Sequence, residues 1–173
     1  MKIWQFLAEL GAGALVIFAC SSAVPVSGAP KPDASVSLPS GEPHWNVTIR
    51  SVPHPRFDQP DSSARERSYG SAVWSRGERP SLSKVSITFS YGGPERSLSW
   101  AILFGNCGTG SMTLLPISNF PEIEVGSGGH ADVEATLTLE LPTSGNYHLD
   151  IYRDRQGSPE SVVGCGNLRY SAG

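Results

Sequence analysis

Between Ala131 and Leu141 the chain alternates without a break. Val133, Ala135, Leu137, Leu139 and Leu141 are interleaved with Asp132, Glu134, Thr136, Thr138 and Glu140. A period of two puts the apolar side chains on one face of a strand and the polar ones on the other, so one face is expected to be buried and the other wet. Trp45 to Arg50 alternates in the same way. Tyr69 to Trp74, Lys84 to Phe89, Ser97 to Phe104, an edge-like Glu122 to Val125, Tyr147 to Tyr152 and Val162 to Asn167 complete eight expected strands. Turn chemistry brackets the clearest of them, with Gly126-Ser127-Gly128-Gly129 before it and Pro142-Thr143-Ser144-Gly145-Asn146 after it. The polar, proline-rich stretch from Val52 to Arg67 reads as a surface loop. No stretch sustains a helical period and no internal repeat is visible. A closed barrel or two-sheet sandwich is the economical way to hide so many strands.

Length and composition fit this picture. The chain has 173 residues, 39% of them hydrophobic, enough for the core of one domain and short for two. Nineteen glycines and fourteen prolines against two methionines suit strands joined by turns better than a helical bundle. A formal net charge of −3 gives no basic field, so nucleic acid is not an expected partner.

The first twenty residues have the form of an export signal, with Lys2 as a basic start and an apolar stretch from Leu10 to Ala19 that is short for a membrane span. Val16-Ile17-Phe18-Ala19-Cys20 resembles a bacterial lipobox, which predicts lipidation at Cys20. The alternative is an ordinary secretory peptide cut after Ser27-Gly28-Ala29. The Ser-, Pro-, Ala- and Gly-rich residues 21–43 bury too little to offset their ordering entropy and are expected to be a tether. Residues 1–20 are thus read as signal, 21–43 as tether and 44–173 as a β-sandwich domain anchored in the cell envelope.

An exported chain meets an oxidising compartment, where a cysteine pair is more often a staple than two thiols. If Cys20 takes a lipid, Cys107 and Cys165 remain as one pair. Two buried free cysteines are the alternative.

A strand followed by Gly105-Asn106-Cys107-Gly108, the glycine-rich turn, Leu141 to His148 and a final Gly164-Cys165-Gly166-Asn167-Leu168 resemble the copper-zinc superoxide dismutase-like superfamily, in particular its small exported bacterial, CHRD-like branch. The resemblance covers about Trp45 to Tyr170. It implies an eight-stranded antiparallel Greek-key sandwich or barrel, and a disulfide at the positions of Cys107 and Cys165. It also implies where metal chemistry would sit, because a His-x-His pair on one strand sends both imidazoles to one ion. Those positions here are Ala101 and Leu103, a later ligand position is Tyr152, and Ser161 to Gly164 holds no arginine before the last cysteine. The expected state is therefore a non-catalytic domain without a cofactor, with a structural or binding role toward a protein or glycan partner.

Other chemistry is sparse. His44 and His54 read as solvated. His148 shares a strand face with Asp150 and Tyr152, and His130 could join Asp132 and a serine in a hydrolytic set; a residual metal-dependent enzyme would use His130, His148 or the loop histidines. Trp45, Trp74 and Trp100 are core anchors, of which one or two, Trp74 among them, could instead form an exposed patch for carbohydrate or another surface. Gly126 to Gly129 precedes a strand and not a helix, which makes it a hairpin turn and not a phosphate cradle. The strand Trp100 to Phe104 is apolar on both sides, so one face is expected toward the sandwich interior and the other under the disulfide loop.

Overall fold

The computed structural model describes residues 41–52, 67–109 and 112–173. The strands are β1 His44–Ser51, β2 Ser68–Arg76, β3 Ser83–Tyr91, β4 Ser97–Phe104, β5 Ile123–Glu124, β6 His130–Leu137, β7 Tyr147–Tyr152, β8 Val162–Asn167 and β9 Arg169–Ser171. Among the described residues the helical elements are two short 3-10 turns, Ile117–Asn119 and Pro159–Ser161. The strands hydrogen-bond in the order β5-β4-β7-β8-β1-β2-β3-β6, with β9 also on β1, and all the pairings are antiparallel. The two ends of this path are brought together by the turn between β5 and β6, where the Gly126 amide donates to the His130 carbonyl at 2.9 Å. The sheet is thereby nearly closed into a barrel, with β3 beside β6 and β1 beside β8 as Greek-key connections.

The alternation read along each strand decides which side faces the interior. Trp45, Val47 and Ile49 on β1 stand opposite Trp74, Ala72 and Gly70 on β2, which in turn face Val85, Ile87 and Phe89 on β3. At Ala72 and Gly70 large residues thus meet small ones across β2. A Cβ on Gly70 would lie 3.0 Å from the Phe89 ring and 2.3 Å from the Thr88 carbonyl oxygen, so the glycine makes room for that ring. Trp45 and Trp74 both meet Tyr147 edge-on, at 5.2 and 5.8 Å between centroids, and join the two halves of the barrel across the core. The Trp45 indole N–H donates to the Pro142 carbonyl at 2.7 Å and that of Trp100 to Pro121 at 2.7 Å.

All eight expected strands are present, with three differences. The strand expected to reach Leu141 ends at Leu137, because its partner β3 begins at Ser83, which faces Leu137, and Thr138 has nothing to pair with. Leu141 is nonetheless buried, so the apolar side continues without a ladder. β5 keeps only two of its four expected residues. The ninth strand, β9, is three residues long, too short to show a period, and forms because Asn46 to His44 of β1 extend past the end of β8.

Cys107 and Cys165 form a disulfide across a sequence separation of 58, which on the chain-entropy model contributes about 4 kcal/mol. Close approach beside it depends on a second glycine. A Cβ at Gly166 would stand 2.4 Å from both the Thr48 carbonyl oxygen and Val47 Cγ2. Gly166→Ala is therefore expected to lower stability by about 1–3 kcal/mol in urea unfolding, while Gly92→Ala, whose Cβ meets nothing nearer than 3.6 Å, stays within about 0.5 kcal/mol of wild type.

Candidate functional site

The outer face of β4, β7 and β8 carries the residues that the sequence singled out. Cross-strand pairing sets Ser99 opposite Tyr152, Ala101 opposite Asp150 and Leu103 opposite His148. On the other side of β7, His148 faces Asn167 and Asp150 faces Cys165. Ala101, His148, Asp150, Tyr152 and Cys165 are all buried, although they point away from the barrel interior. β4 is covered on both sides as expected, except that Phe104 at its end is 47% exposed.

Two loops cover this face. The first leaves β4 at Gly105, is stapled through Cys107 to β8, and returns along β4, where Thr113 bridges to Leu103 and the Leu114 amide donates to the Ile102 carbonyl at 2.9 Å. The Cys107 amide donates to the Asn167 side-chain oxygen at 2.8 Å, a second tie to β8. The other loop, residues 153–161, turns around Asp154, whose Oδ1 accepts from the amides of Gln156, Gly157 and Ser158 at 3.2, 2.8 and 3.2 Å. Burial pushes the Asp154 carboxyl up, but hydrogen bonds from Ser158, Ser161 and Gly157 outweigh it and hold the group below its usual value. The Ser99 hydroxyl donates to the Asp154 carbonyl, tying this loop to β4. Arg155 reaches Glu122 at 2.9 Å and so links it to the residues entering β5, an exposed contact of little energetic weight.

Under these loops lies a polar row. His148 Nε2 is 3.7 Å from Asp150 Oδ2, and the Tyr152 hydroxyl is 3.5 Å from the same oxygen. His148 Nδ1 and Asp150 Oδ1 are buried and make no hydrogen bond among the described residues. Such atoms cost about 1–3 kcal/mol each when left unsatisfied. Burial, followed by the charge and hydrogen bond of Asp150, pushes the Tyr152 phenol well above the ordinary tyrosine range. Asp150 also lies beside the staple: its carboxylate oxygen and the sulfurs of Cys107 and Cys165 fall within 4.8 Å of one another.

The other candidates lie apart from this row. His130 is exposed on β6 and its Nδ1 is 2.8 Å from the Ser90 hydroxyl of β3, the serine that the sequence could not name. Asp132, two residues on, accepts from Thr88 at 2.9 Å and not from His130, so the three do not form a hydrolytic set. These are two cross-strand pairs on a wet face, and only the β3–β6 register reveals them. His130 and His148 lie on strands that are not neighbours in the sheet. His44 Nδ1 is 2.7 Å from the Glu42 carbonyl oxygen. Cys20 and His54 lie outside the described residues. The expectation of an exposed tryptophan patch is corrected: Trp45, Trp74 and Trp100 are at most 3% exposed, because each supplies the inward side of its strand, and Trp74 at 0% offers no ring to a ligand.

Sequence reasoning missed one further feature. The β1 ladder pairs with β8 at Arg50 and Ser51 and with β9 from Asn46 to His44, but is open between Val47 and Ile49. An open groove of about 790 Å³ lies there, lined by Thr48, Arg50, Ser71, Asn167, Arg169 and the Cys107–Cys165 bridge. Its charged lining is arginine alone.

The Tyr152 environment gives a pH dependence. The folded state resists ionisation that the unfolded chain undergoes near pH 10, so the unfolded state binds fewer protons above that point and stability falls as pH rises, by about 1.4 kcal/mol per unit for one such group. Urea unfolding is expected to show this slope develop between about pH 10 and 12, and Tyr152→Phe to remove one proton's share of it.

Compared with protein-family models, with curated proteins and with solved structures, the chain gives no significant match.

Proposed function

We propose that the chain is an exported protein, lipid-anchored in the bacterial cell envelope through Cys20, whose dismutase-like sandwich has a structural or binding role and no redox catalysis. The observation that carries this reading is the outer face of β4. Where the resemblance puts two imidazoles, Ala101 and Leu103 present no donor atom, and the residues facing them across the ladder are Asp150 and His148. Tyr152, at the later ligand position, is a buried phenol held protonated. These residues do not fit a copper or zinc site of the dismutase kind, which needs several imidazoles converging on one ion. The strand count, the near closure of the sheet and the staple favour the kinship in fold, and the missing ligands separate it from the activity. The groove beside Arg50 and Arg169 is an open described surface whose charge suits an anionic partner.

Metal content and activity test the reading. The full chain, purified with its disulfide intact, is expected to hold less than about one-tenth of an equivalent of copper or zinc after dialysis and to show no metal-dependent superoxide dismutation. Stoichiometric copper that resists a weak chelator and is lost in His148→Ala would overturn it. The anchor is tested separately. Expressed with its own leader in a bacterium, the protein should fractionate with membranes and Cys20→Ser should release it; a soluble wild type beginning near Pro30 would contradict the anchor.

A further inference from the structure

The geometry points to a latent zinc-binding site at the staple, closed while Cys107 and Cys165 are bonded and opened by their reduction, with Cys107 Sγ, Cys165 Sγ and an Asp150 carboxylate oxygen as its ligands. The three donors already fall within 4.8 Å of one another, a spread that small shifts can close around one ion. They come from three places in the chain. Asp150 and Cys165 are held side by side by the β7–β8 ladder, and Cys107 is brought over them by its loop.

Two features prepare the site. Opening the disulfide does not by itself release the loop, because the Cys107 amide remains bonded to the Asn167 side chain and the Gly105 amide to the Asn146 carbonyl at 2.9 Å. The thiols therefore stay near each other. Asp150 Oδ1 is a buried acceptor without a hydrogen-bond partner among the described residues, and its other oxygen lies 3.7 Å from His148 Nε2, which can orient the carboxylate as an outer partner of the ion. Three protein ligands leave the fourth tetrahedral position to water. Cys107 is half-buried, which gives a reductant and the ion a route in.

The chemistry balances simply. A phosphine reductant takes the disulfide to two thiols, the phosphine becoming its oxide with an oxygen from water. Zinc then displaces the two thiol protons as it binds the thiolates, so binding tightens as pH rises. The donor set is distinct from the His-x-His positions on β4, and the inference does not rest on the dismutase resemblance.

The test uses the full chain, oxidised or reduced by a phosphine, titrated with zinc alone and with cobalt as a spectroscopic probe. Reduced wild type should bind one equivalent of zinc, and its cobalt form should show a thiolate-to-metal charge-transfer band. The oxidised protein should show neither. Asp150→Asn and His148→Ala in the reduced state should each weaken binding by about tenfold or more. They also separate a folded site from two cysteines in a loosened chain, since an unfolded chain would not sense either change. Binding by reduced wild type that is unaltered in both variants, or no binding by the reduced protein, would overturn the inference. Stoichiometric zinc in the oxidised protein would overturn it as well, whereas copper held by the oxidised protein and lost in His148→Ala would count against the proposed function alone, so the two failures are distinguishable.

Discussion

The bond between Cys107 and Cys165 holds the loop leaving β4 against β8, and the burial of the second face of β4 and β7 depends on it. A strand in a sandwich ordinarily keeps one side wet. β7 has all six residues buried, including a histidine and an aspartate, which requires a cover over its outer side. The staple provides that cover covalently at one edge. The Thr113 bridge to Leu103 and the Ser99 contact to Asp154 provide it along β4. Without the covalent tie, the amides of Cys107 and Gly105, bonded to Asn167 and Asn146, are left to hold the loop over apolar and polar groups alike.

This arrangement explains which parts of the molecule could be read from the chain. Period two is a local property, so the strands with one wet face, β1, β3 and β6, were legible from their own residues. The continuous apolar run of β4 was legible as doubly buried for the same reason. Where each strand stops is set by its neighbour, and the length of β6 follows from the start of β3 and from nothing in Thr138 or Leu139. β9 exists only because β1 continues beyond β8.

The site was legible in part. That His148, Asp150 and Tyr152 share a face follows from their spacing alone. That this face is buried, and that Asp150 sits against the staple, follows from the β7–β8 register, which no single strand encodes. The pairing of His130 with Ser90 is of the same kind, two residues 40 apart in sequence joined by the antiparallel β3–β6 register. The tryptophans illustrate the converse limit. Their size suited either a core or an exposed patch, and the inward phase of each strand decided for the core.

The polarity of the outer face is lopsided, and stability alone does not account for it. Across the β4–β7 ladder Ala101 and Leu103 meet Asp150 and His148, so apolar groups line one side of a sealed layer and ionisable groups the other. Replacing a buried ionic pair by apolar residues of similar volume is often neutral or stabilising, whereas keeping it with orphaned atoms costs about 1–3 kcal/mol for each. His148 Nδ1 and Asp150 Oδ1 have no protein hydrogen-bond partner among the described residues. A fold selected for burial alone would gain by continuing the Ala and Leu pattern of β4 across β7. The polar row therefore calls for partners beneath the staple, of the kind that ordered water or a bound ion supplies to buried polar groups. Of the groups within reach, the two sulfurs are the ones whose chemistry can change under a closed cover, which places the functional interest of this face at the junction of Asp150 with the disulfide.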